Sequence, residues 1–291
     1  AVFKKALLLD PSNFLVFYNL GVTNLGLKRL DNAKRYFQDS IHLKPEYFPA
    51  LFNLGYLLIK LREFNEAEKL LIQTISLRQN YHKSYEIFGK LLQSLNRQTE
   101  AIEQYKKALK INPGLNETIF QLAIIYQKNG GTEQAEKYYR QALVRKPNMV
   151  KALQNLGVLL HKKGESEEAE IFLTKARKLN PKSAMIQRNL GFLFLDQAKI
   201  KEARKCFKDA LNIKPDYPEV KFFMEAINGK TPKTAPRVYI EKLFDEFAEQ
   251  FDRHLVDALS YDLPVRIKDL ILSIQNKTEN VSVLDLGCGT G

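Results

Sequence analysis

Asn155-Leu156-Gly157 returns along the chain at a fixed step. The same triplet stands at Asn19-Leu20-Gly21, Asn53-Leu54-Gly55 and Asn189-Leu190-Gly191, with looser copies at Ile87-Phe88-Gly89 and Gln121-Leu122-Ala123. Neighbouring copies are 34 residues apart every time. A spacing held without insertion cannot come from composition. It is the mark of a stacked helical array whose single units are too small to bury their own apolar face.

With Phe14 as position 1, the array has six full repeats over 14–215, preceded by half a repeat over 1–11. Position 7 reads Leu20, Leu54, Phe88, Leu122, Leu156 and Leu190. Position 8 is glycine except at Ala123. Position 20 is alanine in all six repeats: Ala33, Ala67, Ala101, Ala135, Ala169 and Ala203. Position 24 is large: Phe37, Leu71, Tyr105, Tyr139, Leu173, Phe207. Position 32 is proline except at Gln79. Small residues at 8 and 20 let two helices approach closely. Large residues at 4, 7, 11 and 24 fill the layer between units, and proline at 32 stops the second helix. Tyr217 to Asn228 opens like another first helix and then loses the pattern at Met224-Glu225, as a closing helix would.

This arrangement resembles the tetratricopeptide repeat over residues 1–228. The resemblance implies an all-α superhelix whose concave wall is lined by first helices, with positions 2, 5, 6, 9, 12 and 13 facing a groove. Position 6 then offers the amides Asn19, Asn53, Gln121, Asn155 and Asn189, interrupted by Ile87. An amide carries donors and an acceptor, so a row of them can pair with a peptide backbone of any sequence. Lys60, Lys90, Lys128 and Lys162 add ammonium groups, and Tyr18, Phe52, Tyr56, Phe120 and Phe192 add rings. The expected partner is a protein or extended peptide.

Bulk composition narrows the field. The 291 residues are 45% hydrophobic, and no apolar run is long enough to span a bilayer. Two cysteines, Cys206 and Cys288, argue against a disulfide framework and for a cytoplasmic setting. Residues 1–228 hold 37 Lys/Arg and 23 Asp/Glu, a net of +14, whereas residues 237–291 hold 6 and 10, a net of −4. A basic array followed by an acidic stretch reads as two units. Nucleic acid is a poorer expectation than protein, because lysines on solvated helix faces account for the charge and no arginine-rich cluster exists. Nothing has metal-ligand spacing.

Residues 229–236, Gly-Lys-Thr-Pro-Lys-Thr-Ala-Pro, break the period and read as a linker. Beyond it, 237–259 has helical apolar spacing, Pro264 can open another helix, and 281–286 is a short branched strand. That strand enters Gly287-Cys288-Gly289-Thr290-Gly291. An acid followed by glycines at alternate positions lets a backbone approach a ligand over a strand end. Val283-Leu284-Asp285-Leu286-Gly287-Cys288-Gly289-Thr290-Gly291 resembles the first motif of class I S-adenosylmethionine-dependent methyltransferases. A dinucleotide fold would instead place its acid some twenty residues downstream. The resemblance implies that Asp285, Leu286, Gly287, Cys288, Gly289 and Gly291 touch S-adenosylmethionine, Asp285 near its amino end and Gly291 at the start of a helix. Residues 237–291 then form the start of an α/β methyltransferase domain. From the mid-repeat start and mid-loop end the expectation is a fragment that turns over nothing, its catalytic residues unidentified. The expected function is a methyltransferase with a recruiting array; the alternative is a non-enzymatic scaffold that binds extended peptides.

Overall fold

The computed structural model of the protein describes residues 10–229 and Ile240. Thirteen helices occupy the described residues, with no strand among them. The first helices are α1 (Phe14–Gly26), α3 (Phe48–Lys60), α5 (His82–Ser94), α7 (Asn116–Lys128), α9 (Val150–Lys162) and α11 (Ala184–Asp196). Each is followed by a second helix: α2 (Leu30–Leu43), α4 (Phe64–Leu77), α6 (Gln98–Ile111), α8 (Thr132–Arg145), α10 (Ser166–Leu179) and α12 (Ile200–Ile213). α13 spans Pro218–Ile227. First helices begin at position 1 of every repeat and second helices at position 17, so the 34-residue period is a period of structure. The chain divides into two compact units, residues 1–181 and 182–291.

Inside a repeat, close packing follows the small residues. The six alanines at position 20 are completely buried. At position 8 the glycine faces the position-24 side chain of its own repeat. A Cβ on Gly21 would stand 2.5 Å from the Phe37 ring, and on Gly89 2.7 Å from Tyr105. A methyl group has no room there unless the ring moves. Phe37, Leu71, Tyr105, Tyr139, Leu173 and Phe207 are all fully buried.

The turn between the helices of a repeat is the same everywhere. Position 15 has a left-handed backbone in all six repeats: Lys28, Arg62, Asn96, Gly130, Gly164 and Ala198, with φ between 57° and 83°. The next residue returns its N–H to the carbonyl five residues back, as in Arg29 N to Asn24 O and Glu165 N to Leu160 O, both at 2.9 Å. This is the Schellman closure of a helix C-terminus. Second helices end at position 30 in every repeat, including α4, whose repeat has Gln79 where the others have proline. Proline at 32 reinforces a stop that the packing already imposes.

Within residues 1–181, charged side chains cross from one repeat to the next. Lys34 on α2 meets Glu63 before α4, and Glu68 on α4 accepts two hydrogen bonds from Arg97 before α6, at 2.7 and 2.9 Å. Arg140 on α8 clamps Glu168 on α10 through both its terminal nitrogens at 2.7 Å.

The linker expected over 229–236 and the methyltransferase part expected over 237–291 lie outside the described residues, apart from Gly229 and Ile240. So do Asp285, Leu286, Gly287, Cys288, Gly289 and Gly291, and most of the half repeat over 1–11.

Candidate functional site: the open face of the first helices

Each first helix buries one side against its second helix and leaves another open. Positions 2, 6, 9 and 13 recur at helical spacing along that open side. In α9 they are Lys151, Asn155, Val158 and Lys162, exposed or half-buried while Leu153, Leu156 and Leu160 between them are buried. α3, α5 and α7 follow the same division.

The amides expected to form a free row are mostly engaged. Asn19 is exposed. Asn53 donates from Nδ2 to the Tyr18 hydroxyl at 3.2 Å, tying two successive first helices together. Gln121 donates to Glu117 at 2.9 Å, and Asn155 donates to the Tyr139 hydroxyl at 3.2 Å. In the second unit Asn189 is buried, and its Oδ1 accepts from Arg188, whose guanidinium also grips Glu219 on α13. A partner backbone reaching these amides would share or replace bonds that already exist.

Lys60, Lys90, Lys128 and Lys162 are exposed. Lys60 Nζ lies 4.7 Å from the centre of the Tyr56 ring, a cation–π contact that holds the ammonium over the face. Two acids share this face, each with a partner. Glu86 accepts from Thr118 Oγ1 and stands 3.3 Å from His82 Nδ1; Glu117 takes the Gln121 amide.

Two rings that the periodic pattern does not single out belong here. Tyr47 and Tyr81 precede α3 and α5, at position 34. Tyr47 packs edge-on against Tyr18 with centroids 5.3 Å apart, and Tyr81 likewise against Phe52 at 5.4 Å. Burial pushes the Tyr47 phenol up, and the nearby Tyr18 adds to the shift. Their recurrence one period apart was the available signal. Repeats 3 and 4 hide a second pair. The Tyr105 hydroxyl donates to Gln93 and that of Tyr139 to Gln127, both at 2.6 Å. Position 12 is glutamine only in the repeats whose position 24 is tyrosine. Burial raises both phenols, Tyr139 to about 12, although the Asn155 hydrogen bond pulls Tyr139 the other way.

Among the described residues no three of His, Cys, Asp and Glu converge to hold a metal ion, and no helix is long and apolar enough to cross a membrane. Cys206 is buried on α12.

Family models for the tetratricopeptide repeat match residues 24–85, 89–130, 120–184 and 189–217. The array is made of tetratricopeptide repeats. No curated protein matches. Among solved structures, the tetratricopeptide fold here is similar to Pseudomonas aeruginosa pilF, with a TM-score of 0.63 at 16% identity, over 75% of this chain and 98% of that one. YrrB, described as a tetratricopeptide protein with an unusual peptide-binding site, gives 0.56 at 18% identity, over 64% and 96%. MamA gives 0.54 at 22% identity, over 59% and 93%. At these identities the likeness is one of fold. The tetratricopeptide matches end at residue 217, short of the glycine-rich stretch at 283–291.

Proposed function

We propose that the tetratricopeptide array is a binding module that holds a segment of another protein on the open face of its first helices. The carrying observation is that this face stays half-exposed from α1 to α9 while being lined with rings and amides. Tyr18, Phe52 and Tyr56 are half-buried, so each presents apolar area that a partner can cover. The peptide-binding site named for YrrB supports the reading by fold likeness alone. A reducing compartment such as the cytoplasm suits a chain of 291 residues with two cysteines.

The test is a titration of the full chain against an arrayed library of random peptides. Peptides selected by the wild-type protein are expected to lose about tenfold or more in affinity for Phe52→Ala/Tyr56→Ala, since contact rings carry a large share of binding energy. Binding that survives this change would remove the face from the account.

A second reading rests on Val283 to Gly291. The tetratricopeptide array would deliver a protein to a methyltransferase domain in which Asp285, Leu286, Gly287, Cys288, Gly289 and Gly291 contact S-adenosylmethionine. When bound, that cofactor would supply an electrophilic methyl group. Equilibrium dialysis of radiolabelled S-adenosylmethionine against the full-length gene product tests this. Saturable binding that disappears in Asp285→Ala is expected; no binding to the wild type would end the methyltransferase reading and leave the scaffold.

A further inference from the structure

The open face between α1 and α9 carries most of its charge on two margins. Position 13, at the C-terminal end of the first helices, holds Lys60, Lys128 and Lys162. Position 2, at the N-terminal end, holds Lys83 and Lys151. All five are exposed. Successive first helices run the same way, because each returns through a second helix, so the two sets form two rims. Between them lie Phe52, Tyr56, Ile87, Ile124 and Val158, all half-buried. Glu117 is the one acid on the position-2 rim, and its carboxylate already accepts from Gln121. On the floor, Glu86 is held by Thr118 beside His82, and Lys90 on the same helix is a further exposed cation.

Resting on the binding-module reading above, we infer that this face takes an amphipathic helix of a partner protein, with an apolar stripe flanked on both sides by carboxylates. The rims are eleven residues apart along each first helix, about 16 Å at the α-helical rise. A helix with its side chains is about 10–12 Å across and fills that width. Its side chains radiate, so leucine-like residues can face the floor while acids three or four positions away reach sideways to both rims. An extended chain points its side chains alternately down and up, and presents only backbone to the rims. It would leave Lys60, Lys83, Lys128 and Lys151 without the counter-charge that a flanked helix brings. Complementary charge on two margins also fixes the roll of a helix about its axis, which one row could not do.

The probe is a fluorescein-labelled synthetic 18-residue peptide with leucines at helical spacing and glutamates on either side of the stripe. Three controls have the same length: the leucine order scrambled, a proline at the centre, and lysine in place of glutamate. Affinity for the full chain is read by anisotropy and peptide helicity by circular dichroism. The patterned peptide should bind with a gain in helicity, and each control should bind at least about tenfold more weakly. Lys83→Glu/Lys151→Glu and Lys60→Glu/Lys128→Glu should each weaken it by about tenfold or more, and both effects should shrink in high salt. The inference is overturned if the patterned peptide does not bind, if the proline control binds as tightly, or if reversing either rim leaves Kd unchanged. Selected library peptides that depend on Phe52 and Tyr56 but have no helical pattern would sink the helix and keep the binding module. Library peptides indifferent to Phe52 and Tyr56 would sink the module itself. Thermal melts of the two rim variants, whose changes all lie at exposed sites, keep misfolding separate from lost contact.

Discussion

Gly21 and Gly55 occupy the same position in neighbouring repeats and have different room. A Cβ at Gly21 would press into Phe37 at 2.5 Å, whereas at Gly55 its nearest neighbour is Leu71 at 3.3 Å. Alanine gains up to about 1 kcal/mol over glycine inside a helix, and overpacking costs about 1–3 kcal/mol. Gly21→Ala should therefore lower stability by about 1–2 kcal/mol, while Gly55→Ala should be neutral or slightly stabilising, as read from urea unfolding. Ala123 shows that a repeat can be built around the extra methyl. The tyrosine–glutamine pairs make a sharper test. Tyr139→Phe leaves the Gln127 amide oxygen without its donor, at a cost of about 1–2 kcal/mol. Adding Gln127→Leu gives the pairing of leucine at position 12 with phenylalanine at position 24 that the first repeat has. It should restore the part of the loss owed to Gln127 in a double-mutant cycle, but not the part owed to Asn155, which also loses its acceptor. Both partners could have been found in the sequence, since glutamine at position 12 and tyrosine at position 24 occur in the same two repeats. Periodic reading looks for what stays constant, and this signal lies in what varies together.

The recurring element is a helix pair closed by a left-handed residue. Gly130, Gly164 and Asn96 suit that backbone; Lys28, Arg62 and Ala198 adopt it against their preference. Arg62→Gly should stabilise the protein by about 0.5–1 kcal/mol, and Gly164→Ala should destabilise it by a similar or larger amount, each measured as a shift in thermal midpoint. The helix pair was fully legible because its determinants are local and repeated: glycine at 8, alanine at 20, a break near 32. The open face was less so. The sequence places Asn53, Gln121 and Asn155 on it, and the four-residue step from Glu117 to Gln121 is local, but Tyr18 and Tyr139 hold Asn53 and Asn155 from 35 and 16 residues away, which only the packing reveals. The rim of Lys83 and Lys151 escaped for a related reason. Its residues alternate with Pro49 and Glu117 and make no continuous stripe in the sequence.

At the scale of the whole molecule, the basic balance of the array coexists with acids placed to take its cations. Lys163 and then Arg140 hold the Glu136 carboxyl below its ordinary value of 4.5, and Arg140 does the same for Glu168. A carboxyl depressed by folding contributes stability that is whole above the unfolded value of about 4.5 and fades as pH falls through the folded one. Thermal midpoints should therefore fall below about pH 4.5, and Glu136→Gln/Glu168→Gln should be less stable than wild type at pH 7 but lose less on acidification. Equal pH slopes for the two proteins would exclude these contacts as the cause.

The joint between repeats 1 and 2 sets Lys34 against Glu63, and the joint between 2 and 3 sets Glu68 against Arg97, the same two positions with their signs exchanged. Excising residues 48–81 would leave the period unbroken and bring Lys34 face to face with Arg97. The first three units are alike in period, yet their two joints carry opposite polarity, so an array that lost its second repeat would carry its own mismatch.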